Sequence, residues 1–311
     1  MKDLYRKKIQ IGNDPAHTEQ EMTRLFFPKG QKARKTSVLI YEFTYNLSSI
    51  RTNEEKISHA ELRLHRKRTK AKGRLVRLCS LALFTKQPVW KRRTNISRNM
   101  APTFVQIKVV PLSGKSLWIR FNVSAVLKEQ VEKRLHKMIQ FKVYVQAYGT
   151  SLPPKAWINR HGKNKPSLVV YSRLEKENGK PLNLDLTLVA NSMMTSVKRR
   201  AKRGDLNQYC QRRRMYVKFR SIHLQNLVIA PVGFSAYICE GSCPIRLTSS
   251  FNPTNHAILQ NLLNSRFSKL VPQVSCVPIK LHSLTILYRE VGDSYALREF
   301  PEMIVSSCGC R

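Results

Sequence analysis

Cys239-Glu-Gly-Ser-Cys243 and Cys308-Gly-Cys310 are the two stretches that decide the fold of this chain. If their first cysteines are joined to each other, and their second cysteines likewise, the two stretches close a ring of eight residues. A third bridge, between Cys210 and Cys276, would pass through that ring, and the glycine in each stretch leaves room where a Cβ would crowd it. Six cysteines permit other pairings, so the spacing favours this arrangement without excluding the rest. The favoured pairing is Cys210–Cys276, Cys239–Cys308 and Cys243–Cys310.

A zinc site is the alternative use of these cysteines, with His256 or His282 as a further ligand. Two cysteines separated by a single residue fit the usual chelating spacing poorly, so we expect no metal and no other cofactor. Catalysis has no support in the sequence either, because it contains no G-x-S-x-G, H-E-x-x-H, Walker or G-x-G-x-x-G pattern. The chain is therefore predicted not to be an enzyme.

The segments around the cysteines predict paired strands and one helix. Residues 215–219 alternate in polarity as a strand does, and residues 281–288 and 295–305 are the two arms of a long hairpin. Pro253-Thr-Asn255 offers an N-cap for a helix that ends near Ser265. The apolar face of this helix consists of Ile258, Leu259, Leu262 and Leu263. Such a flat arrangement leaves few residues for a central core, so disulfides must replace that core.

The upstream part of the chain differs from this C-terminal block in cysteine content and charge. It contains a single cysteine, Cys79, which has no partner nearby and is expected to be a buried or free thiol. The 311 residues include 56 Lys plus Arg against 19 Asp plus Glu, a net charge of +37, and most of the excess lies upstream. Charge alone suggests a basic matrix or nucleic-acid-binding protein. Histone-like and ribosomal proteins rarely have a C-terminal cysteine framework, so we expect no nucleic-acid partner.

The region before residue 204 is predicted to be mostly β, after a short helix over residues 1–9. The first strand is predicted at residues 39–47, which are rich in β-branched and aromatic side chains. Further strands are predicted at residues 61–65, 104–110, 117–123, 141–145 and 168–171. Sequons for N-glycosylation occur at Asn46, Asn95 and Asn122, each of them weak evidence alone.

A basic run separates the two regions. Within it Arg200-Ala-Lys202-Arg203 matches the Arg-x-Lys-Arg pattern that furin-like convertases cleave. The alternative is a solvated basic linker or a nuclear-localisation run. Its position directly before the cysteine-rich block favours cleavage after Arg203, at a site formed by Arg200, Lys202 and Arg203. The cleavage would divide the chain into residues 1–203 and 204–311, and a secreted product would need an apolar leader that this chain lacks.

The C-terminal block contains Cys210-x5-Tyr216-Val-x-Phe219, Val228-Ile-Ala-Pro231-x-Gly233, Tyr237-x-Cys239-Glu-Gly-x-Cys243-Pro244, Pro253-Thr-Asn-His-Ala-Ile258, Cys276-Val-Pro278 and Met303-x-Val305-x2-Cys308-Gly-Cys310. Together these segments resemble the mature domain of a TGF-β superfamily ligand, and within it the bone morphogenetic protein and nodal branch. Upstream, Met1-x-Asp3-Leu4-Tyr5-Arg6 and residues 46–62 resemble the propeptides of such ligands.

The resemblance implies a mostly β protein. It implies a C-terminal cystine-knot growth-factor domain, with two β-ribbon fingers and one wrist helix, after a mixed α/β propeptide with an N-terminal helix. It also implies a secreted growth factor that dimerises, brings type I and type II receptor serine/threonine kinases together and triggers SMAD signalling. The alternative is a divergent or antagonistic ligand that binds only one receptor class, a coreceptor or another ligand.

Two departures from the family pattern bear on these expectations. Ser275 stands where members carry the cysteine that bridges the two protomers, so a homodimer, or a heterodimer with a related ligand, would be non-covalent. Leu224 and Leu227 stand where members carry two tryptophans that contact the type I receptor, which predicts weakened type I binding.

The resemblance also implies two further surfaces. The type II receptor is expected to bind an exposed apolar patch, although some of its members could instead pack within the hairpin. This patch consists of Ala230, Pro231, Thr285, Leu287 and Leu297. Heparan sulfate is expected to bind a basic edge, for which the alternative is a solvated strand end. This edge consists of Arg212, Arg213, Arg214, Lys218 and Arg220.

Overall fold

A computed structural model of the chain describes residues 21–50, 55–69, 78–87, 101–132, 137–148, 152–174, 209–290 and 294–311. The described residues form two compact units. The first contains residues 21–174 together with 289–290 and 294–297, and the second contains residues 209–288 and 298–311. The predicted N-terminal helix, the sequon at Asn95 and the cleavage motif of Arg200, Lys202 and Arg203 lie outside the described residues.

Among the residues that the structure describes, the first unit contains nine strands and one α-helix, α1. The strands are β1 Glu21–Phe26, β2 Gly30–Lys35, β3 Leu39–Asn46, β4 Glu55–Arg66, β5 Leu78–Gln87, β6 Ala101–Pro111, β7 Leu117–Asn122, β8 Met138–Ala147 and β9 Ser167–Leu174, and α1 spans Ser124–Glu132. One antiparallel sheet has the order β2-β3-β8-β5-β6, and four strands of a second sheet follow the order β1-β9-β4-β7.

The core of the first unit lies between these sheets. Tyr41 and Phe43 of β3 and Phe141 of β8 are fully buried from one sheet, and Leu62 of β4 and Phe121 of β7 are fully buried from the other. Alternate side chains of a strand point to opposite faces, so the odd-numbered apolar residues of β3 all reach this core. The predicted β character of this region is therefore confirmed.

Some elements of the first unit escaped the sequence analysis. The strand β2 has the sequence GQKARK, with no apolar alternation, and it is a strand because its whole backbone pairs with residues 39–44 of β3. Sequence analysis also misses β5, whose pairing with β6 shifts register between Leu83 and Phe84 and so breaks the period of two. Strand β6 itself contains the strand predicted at residues 104–110. Polarity patterns alone do not reveal strands such as β2 and β5.

The described part of the second unit contains seven strands and one α-helix, α2, although the ends of the last two strands, Arg289 and residues 295–297, belong to the first unit. The strands are β10 Gln211–Arg213, β11 Tyr216–Lys218, β12 Val228–Ala230, β13 Gly233–Ser235, β14 Ile238–Glu240, β15 Cys276–Arg289 and β16 Tyr295–Cys310, and α2 spans Asn255–Arg266. β10 pairs with β14, β11 pairs with β13, and β12, β15 and β16 lie side by side. The predicted long hairpin is present as β15 and β16.

Helix α2 begins where the sequence predicts it. The hydroxyl of Thr254, the N-cap residue, accepts a hydrogen bond from the backbone N of Ala257 at 3.1 Å. The buried residues of the helix are Ala257 and Asn261. Nδ2 of Asn261 donates to the carbonyl oxygens of Pro244 and Ile245 at 2.8 Å each. No helix in the described part of the chain is long and apolar enough to span a membrane.

Candidate functional site

Three disulfides hold the second unit together. Their Cα–Cα distances are 5.4 Å for Cys210–Cys276, 5.6 Å for Cys239–Cys308 and 5.9 Å for Cys243–Cys310. The sulfur of Cys210 lies within 4.8 Å of both sulfurs of the Cys243–Cys310 bridge, so the third disulfide adjoins the eight-residue ring. All six cysteines are oxidised, and the thiolates that a zinc site would need are therefore not available here.

The two glycines of the ring meet different requirements. Gly241 has a φ of +119°, a region that residues with a Cβ rarely adopt. A Cβ on Gly309 would lie 3.0 Å from the carbonyl oxygen of Phe251 and 3.0 Å from Cγ2 of Ile279. The first glycine is needed for its backbone conformation, and the second is needed because its surroundings are crowded.

Ser275 takes part in a backbone connection beside the knot. Its N donates to the carbonyl oxygen of Arg311 at 2.8 Å, and the N of Arg311 donates to the carbonyl oxygen of Ser275 at 3.0 Å. These two bonds fix the C-terminus next to Cys276.

The apolar face of helix α2 points away from the rest of the second unit and is exposed. Its exposed fractions are 38% for Ile258, 55% for Leu259, 57% for Leu262 and 40% for Leu263. The helix instead uses Ala257 and Asn261 to contact its own unit. An exposed apolar surface of this kind is typical of a binding interface.

Three of the expected receptor-binding residues are buried in the uncleaved chain. Leu224 is only 6% exposed, because it packs in a cluster with Phe219, Val228, Ile286 and Phe300. Leu287 is 1% exposed and Leu297 is 2% exposed. The adjacent Ile286 is also buried, so both faces of β15 are covered at this point.

The other expected receptor-binding residues are accessible. Leu227 is 37% exposed, and Ala230, Pro231 and Thr285 are half-buried. Leu287 pairs with Ala230 across β15 and β12, so the buried leucine supports the accessible residues from the neighbouring strand.

The residues of the expected heparan-binding edge fall into two groups. The Nε of Arg212 donates to the carbonyl oxygen of Val305 at 2.8 Å, and its guanidinium lies 3.3 Å from the ring centroid of Tyr237. Arg213 pairs with Glu240 at 3.4 Å. The side chains of Arg214, Lys218 and Arg220 are exposed. Arg214, Lys218 and Arg220 are better suited to bind an anionic ligand, because Arg212 and Arg213 already have partners within the unit.

Two of the expected glycosylation sites have similar local geometry. The side-chain oxygen of Asn122 accepts hydrogen bonds from N and Oγ of Ser124 at 3.0 and 2.6 Å. The side-chain oxygen of Asn46 accepts the equivalent bonds from Ser48. Asn122 is exposed and Asn46 is half-buried, so Asn122 is the more accessible of the two.

Comparison with known proteins matches both regions of the chain. Residues 209–310 match the transforming growth factor beta like domain, and residues 3–171 match the TGF-beta propeptide. The chain is 28% identical over 354 residues to bone morphogenetic protein 4 of Rattus norvegicus, which covers 100% of this chain and 80% of that protein.

Two further relatives match about a third of the chain. Univin of Strongylocentrotus purpuratus is 44% identical over 108 residues, which cover 35% of this chain and 27% of Univin. Protein DVR-1 of Danio rerio is 46% identical over 102 residues, which cover 33% of this chain and 29% of that protein. These two alignments thus span less than a third of each relative.

Proposed function

Because this chain belongs to the transforming growth factor beta family, with both a propeptide and a growth-factor domain, we propose that it is the precursor of a secreted ligand. The ligand binds type I and type II receptor serine/threonine kinases as a dimer and triggers SMAD signalling. Its relatives are growth factors, which are signalling ligands and not enzymes. One observation supports the proposal most strongly. The second unit is held together by three disulfides, and it leaves the apolar face of α2 exposed to solvent.

Dimerisation in this proposal uses the exposed face of α2. Removing Leu259 and Leu262 from water would contribute on the order of 1 kcal/mol or more for each side chain. Position 275 is serine, so the two protomers associate without the inter-chain disulfide of other members. The partner is a second copy of this chain or a related ligand.

Receptor contacts in this proposal follow the accessible residues. Ala230, Pro231 and Thr285 form the type II site, and Leu227 is the remaining exposed residue of the type I site. Leucine offers less contact area than the tryptophan of other members, and aromatic anchors dominate many interfaces. Type II binding is therefore retained, and type I binding is weakened or requires a coreceptor or a heterodimer partner.

Processing in this proposal occurs after Arg203, by a furin-like convertase. The match to the propeptide ends at residue 171 and the match to the growth-factor domain begins at residue 209, so the basic motif falls between them. Sequencing the N-terminus of the secreted C-terminal fragment tests this site. A start at any residue other than Gly204 would contradict it.

A second candidate function is that of a divergent or antagonistic ligand that occupies one receptor class, a coreceptor or another ligand. It is favoured by the burial of Leu224 and by leucine at position 227, which together leave little apolar surface for a type I receptor. The two functions differ in the response of cells, since an antagonist would occupy receptors without raising transcription.

Two measurements on the processed protein separate these functions. We expect a SMAD-responsive reporter to be activated, and surface plasmon resonance to show tight type II and weak type I binding. Leu227→Trp should strengthen type I binding by about tenfold. Leu270→Trp is the matched control, because Leu270 is 81% exposed elsewhere in the unit and should leave binding unchanged. Tight type I binding by the unmodified homodimer would contradict the weakened type I site, and an inactive reporter would contradict the agonist proposal.

A further inference from the structure

One sheet of the first unit has an apolar face that none of the functions above uses. In the sheet β2-β3-β8-β5-β6, one face packs into the core of the unit, through residues such as Leu81 of β5 and Val143 of β8. We call the opposite face the outer face. Three large apolar side chains of the edge strand β6 lie on it. They are Phe104, Ile107 and Val109, which are 54%, 53% and 57% exposed.

The strand register shows that these three side chains share the outer face. Residues directly opposite each other in an antiparallel pair point to the same side of the sheet. Each of the three lies opposite a residue of β5 that adjoins Leu81 or Leu83 in the chain, and both of these leucines are completely buried in the core. The pairs are Phe104–Phe84, Ile107–Ala82 and Val109–Ser80. The register shift leaves Val105 without an opposite residue, so Phe104 and Ile107 share a face although they are three residues apart.

Aromatic rings continue this apolar surface toward the middle of the sheet. The ring of Phe84 lies 5.5 Å from the ring of Phe104 and 5.2 Å from that of Tyr144 of β8, and both contacts are edge-on. Tyr144 in turn lies opposite Ile40 of β3. The apolar surface therefore crosses the strands β6, β5, β8 and β3. We call the part of it that is level with residues 78–84 of β5 the apolar patch.

The apolar patch carries little charge, although the strand β2 that borders it is basic. Its four strands contribute one pair of charged side chains, Lys142 and Glu42, which form an ion pair at 2.9 Å. Lys108 of β6 lies opposite Leu81 and therefore on the other face of the sheet. By contrast, 24% of all residues are charged and the net charge of the chain is +37. Two copies of so basic a chain repel each other over most of their surfaces, so the apolar patch is where they can approach.

We propose that the apolar patch binds the same patch of a second copy of the chain. Sheets pack face to face about 10 Å apart through interdigitating apolar side chains, and a two-fold axis lets one patch serve both copies. With about 4.8 Å between strands and about 3.4 Å per residue, the patch measures about 19 by 24 Å. Two such patches would bury on the order of 900 Å², which is typical of a weak, reversible contact.

Other partners fit this patch less well. An acidic protein would be attracted to the many free cations elsewhere in the chain rather than to a surface with almost no free charge. Elements that bind membrane surfaces place lysines and arginines beside their apolar side chains. The one lysine within the apolar patch, Lys142, is already paired with Glu42. A flat apolar sheet face is best covered by another such face.

This contact is separate from dimerisation through α2. The apolar patch belongs to the first unit and α2 belongs to the second. An uncleaved precursor would carry both contacts, and after cleavage the first unit would keep its own.

The test measures the mass of the full, uncleaved chain by sedimentation equilibrium at concentrations up to about 300 µM. The ionic strength is about 0.15 M, which limits repulsion between the basic chains to distances of about 8 Å. All proteins carry Arg203→Ala, to prevent cleavage, and Leu262→Asp, to remove the contact through α2. Ile107→Glu or Val109→Glu is then added. The matched control is Leu117→Glu, because Leu117 is 39% exposed on β7, in the other sheet of the first unit.

We expect the parent protein to dimerise with a dissociation constant of about 10 to 100 µM. Ile107→Glu and Val109→Glu should each raise this constant about tenfold or more, because each buries a charge against its own copy, whereas Leu117→Glu should change it less than about twofold. Ile107→Leu should preserve the dimer. A parent protein that stays monomeric, or equal constants for Ile107→Glu and Leu117→Glu, would overturn the proposal. Binding to phosphatidylserine vesicles that Ile107→Glu abolishes would overturn it in favour of a lipid surface. Because Leu262→Asp is present throughout, the result is independent of the dimer proposed for receptor binding.

Discussion

Arg24 and Glu55 form an ion pair in the interior of the first unit. Nη2 of Arg24 donates to Oε1 of Glu55 at 2.8 Å, and the two side chains are 2% and 0% exposed. The hydroxyl of Ser172 donates to Oε2 of the same carboxylate at 3.3 Å. Nε of Arg24 also donates at 2.8 Å to Glu290, which belongs to the same unit. These contacts join β1 to the start of β4 through charges that water does not reach.

Removal of Arg24 should therefore destabilise the precursor. Arg24→Met leaves the carboxylate of Glu55 buried without its cation, and we expect a loss of about 3 to 5 kcal/mol in the free energy of unfolding. Arg63→Met is the control, because Arg63 and Glu61 form a partly exposed pair whose loss should cost about 1 kcal/mol or less. Urea denaturation of the full chain measures both. Equal losses in the two variants would show that burial adds nothing to the importance of Arg24.

Gly233 should not tolerate a side chain. A Cβ at this position would lie 2.6 Å from the carbonyl oxygen of Val217, a backbone atom that is paired within β11 and β13. We expect Gly233→Ala to destabilise the disulfide-linked unit by about 1 to 3 kcal/mol. Gly30→Ala is the control, because the nearest atoms to its Cβ would be 3.9 Å away. Thermal unfolding of both variants gives the comparison, and an unchanged melting temperature for Gly233→Ala would refute the argument.

The dimer should depend on helix α2 and lack a covalent link. Leu262 is 57% exposed in the single chain and would be buried in the proposed dimer. Leu262→Asp would bury a charge there, so the dimer should no longer be detected at micromolar concentration. Asn255→Asp, at the polar start of the same helix, should leave the dimer intact. Light scattering distinguishes the two. Non-reducing electrophoresis should show a monomer band for the mature fragment, and a dimer band there would contradict the role given to Ser275.

Cys79 should be unreactive in the folded protein. Its side chain is completely buried, and burial raises the pKa of its thiol to about 11. At pH 8 a thiol reagent should modify this residue only after denaturant is added, because the thiolate is the reactive form. The unfolded chain loses the thiol proton at lower pH than the folded chain, so this group also lowers stability as the pH rises from about 9 to about 11. Rapid modification under native conditions would show that the thiol is accessible.

Local sequence determined much of the second unit. The N-cap at Thr254 and the apolar spacing in residues 255–266 predict α2, since capping and helical periodicity involve residues only a few positions apart. The spacing of the cysteines likewise favoured the three disulfides, because short segments with glycine restrict which sulfurs can meet. The serine at position 275 and the leucines at positions 224 and 227, on which the dimer and type I receptor expectations depend, are also read from the sequence alone.

Tertiary structure decided which apolar faces are covered and which polar segments become strands. Period two places Leu287 on a face of β15, but only the packing of neighbouring strands buries it, together with Leu224 and Leu297. The basic strand β2 has no apolar pattern of its own and forms by pairing with β3, whose apolar residues supply the core. Burial and edge pairing depend on residues far apart in the chain, so no local pattern of side chains could have revealed them.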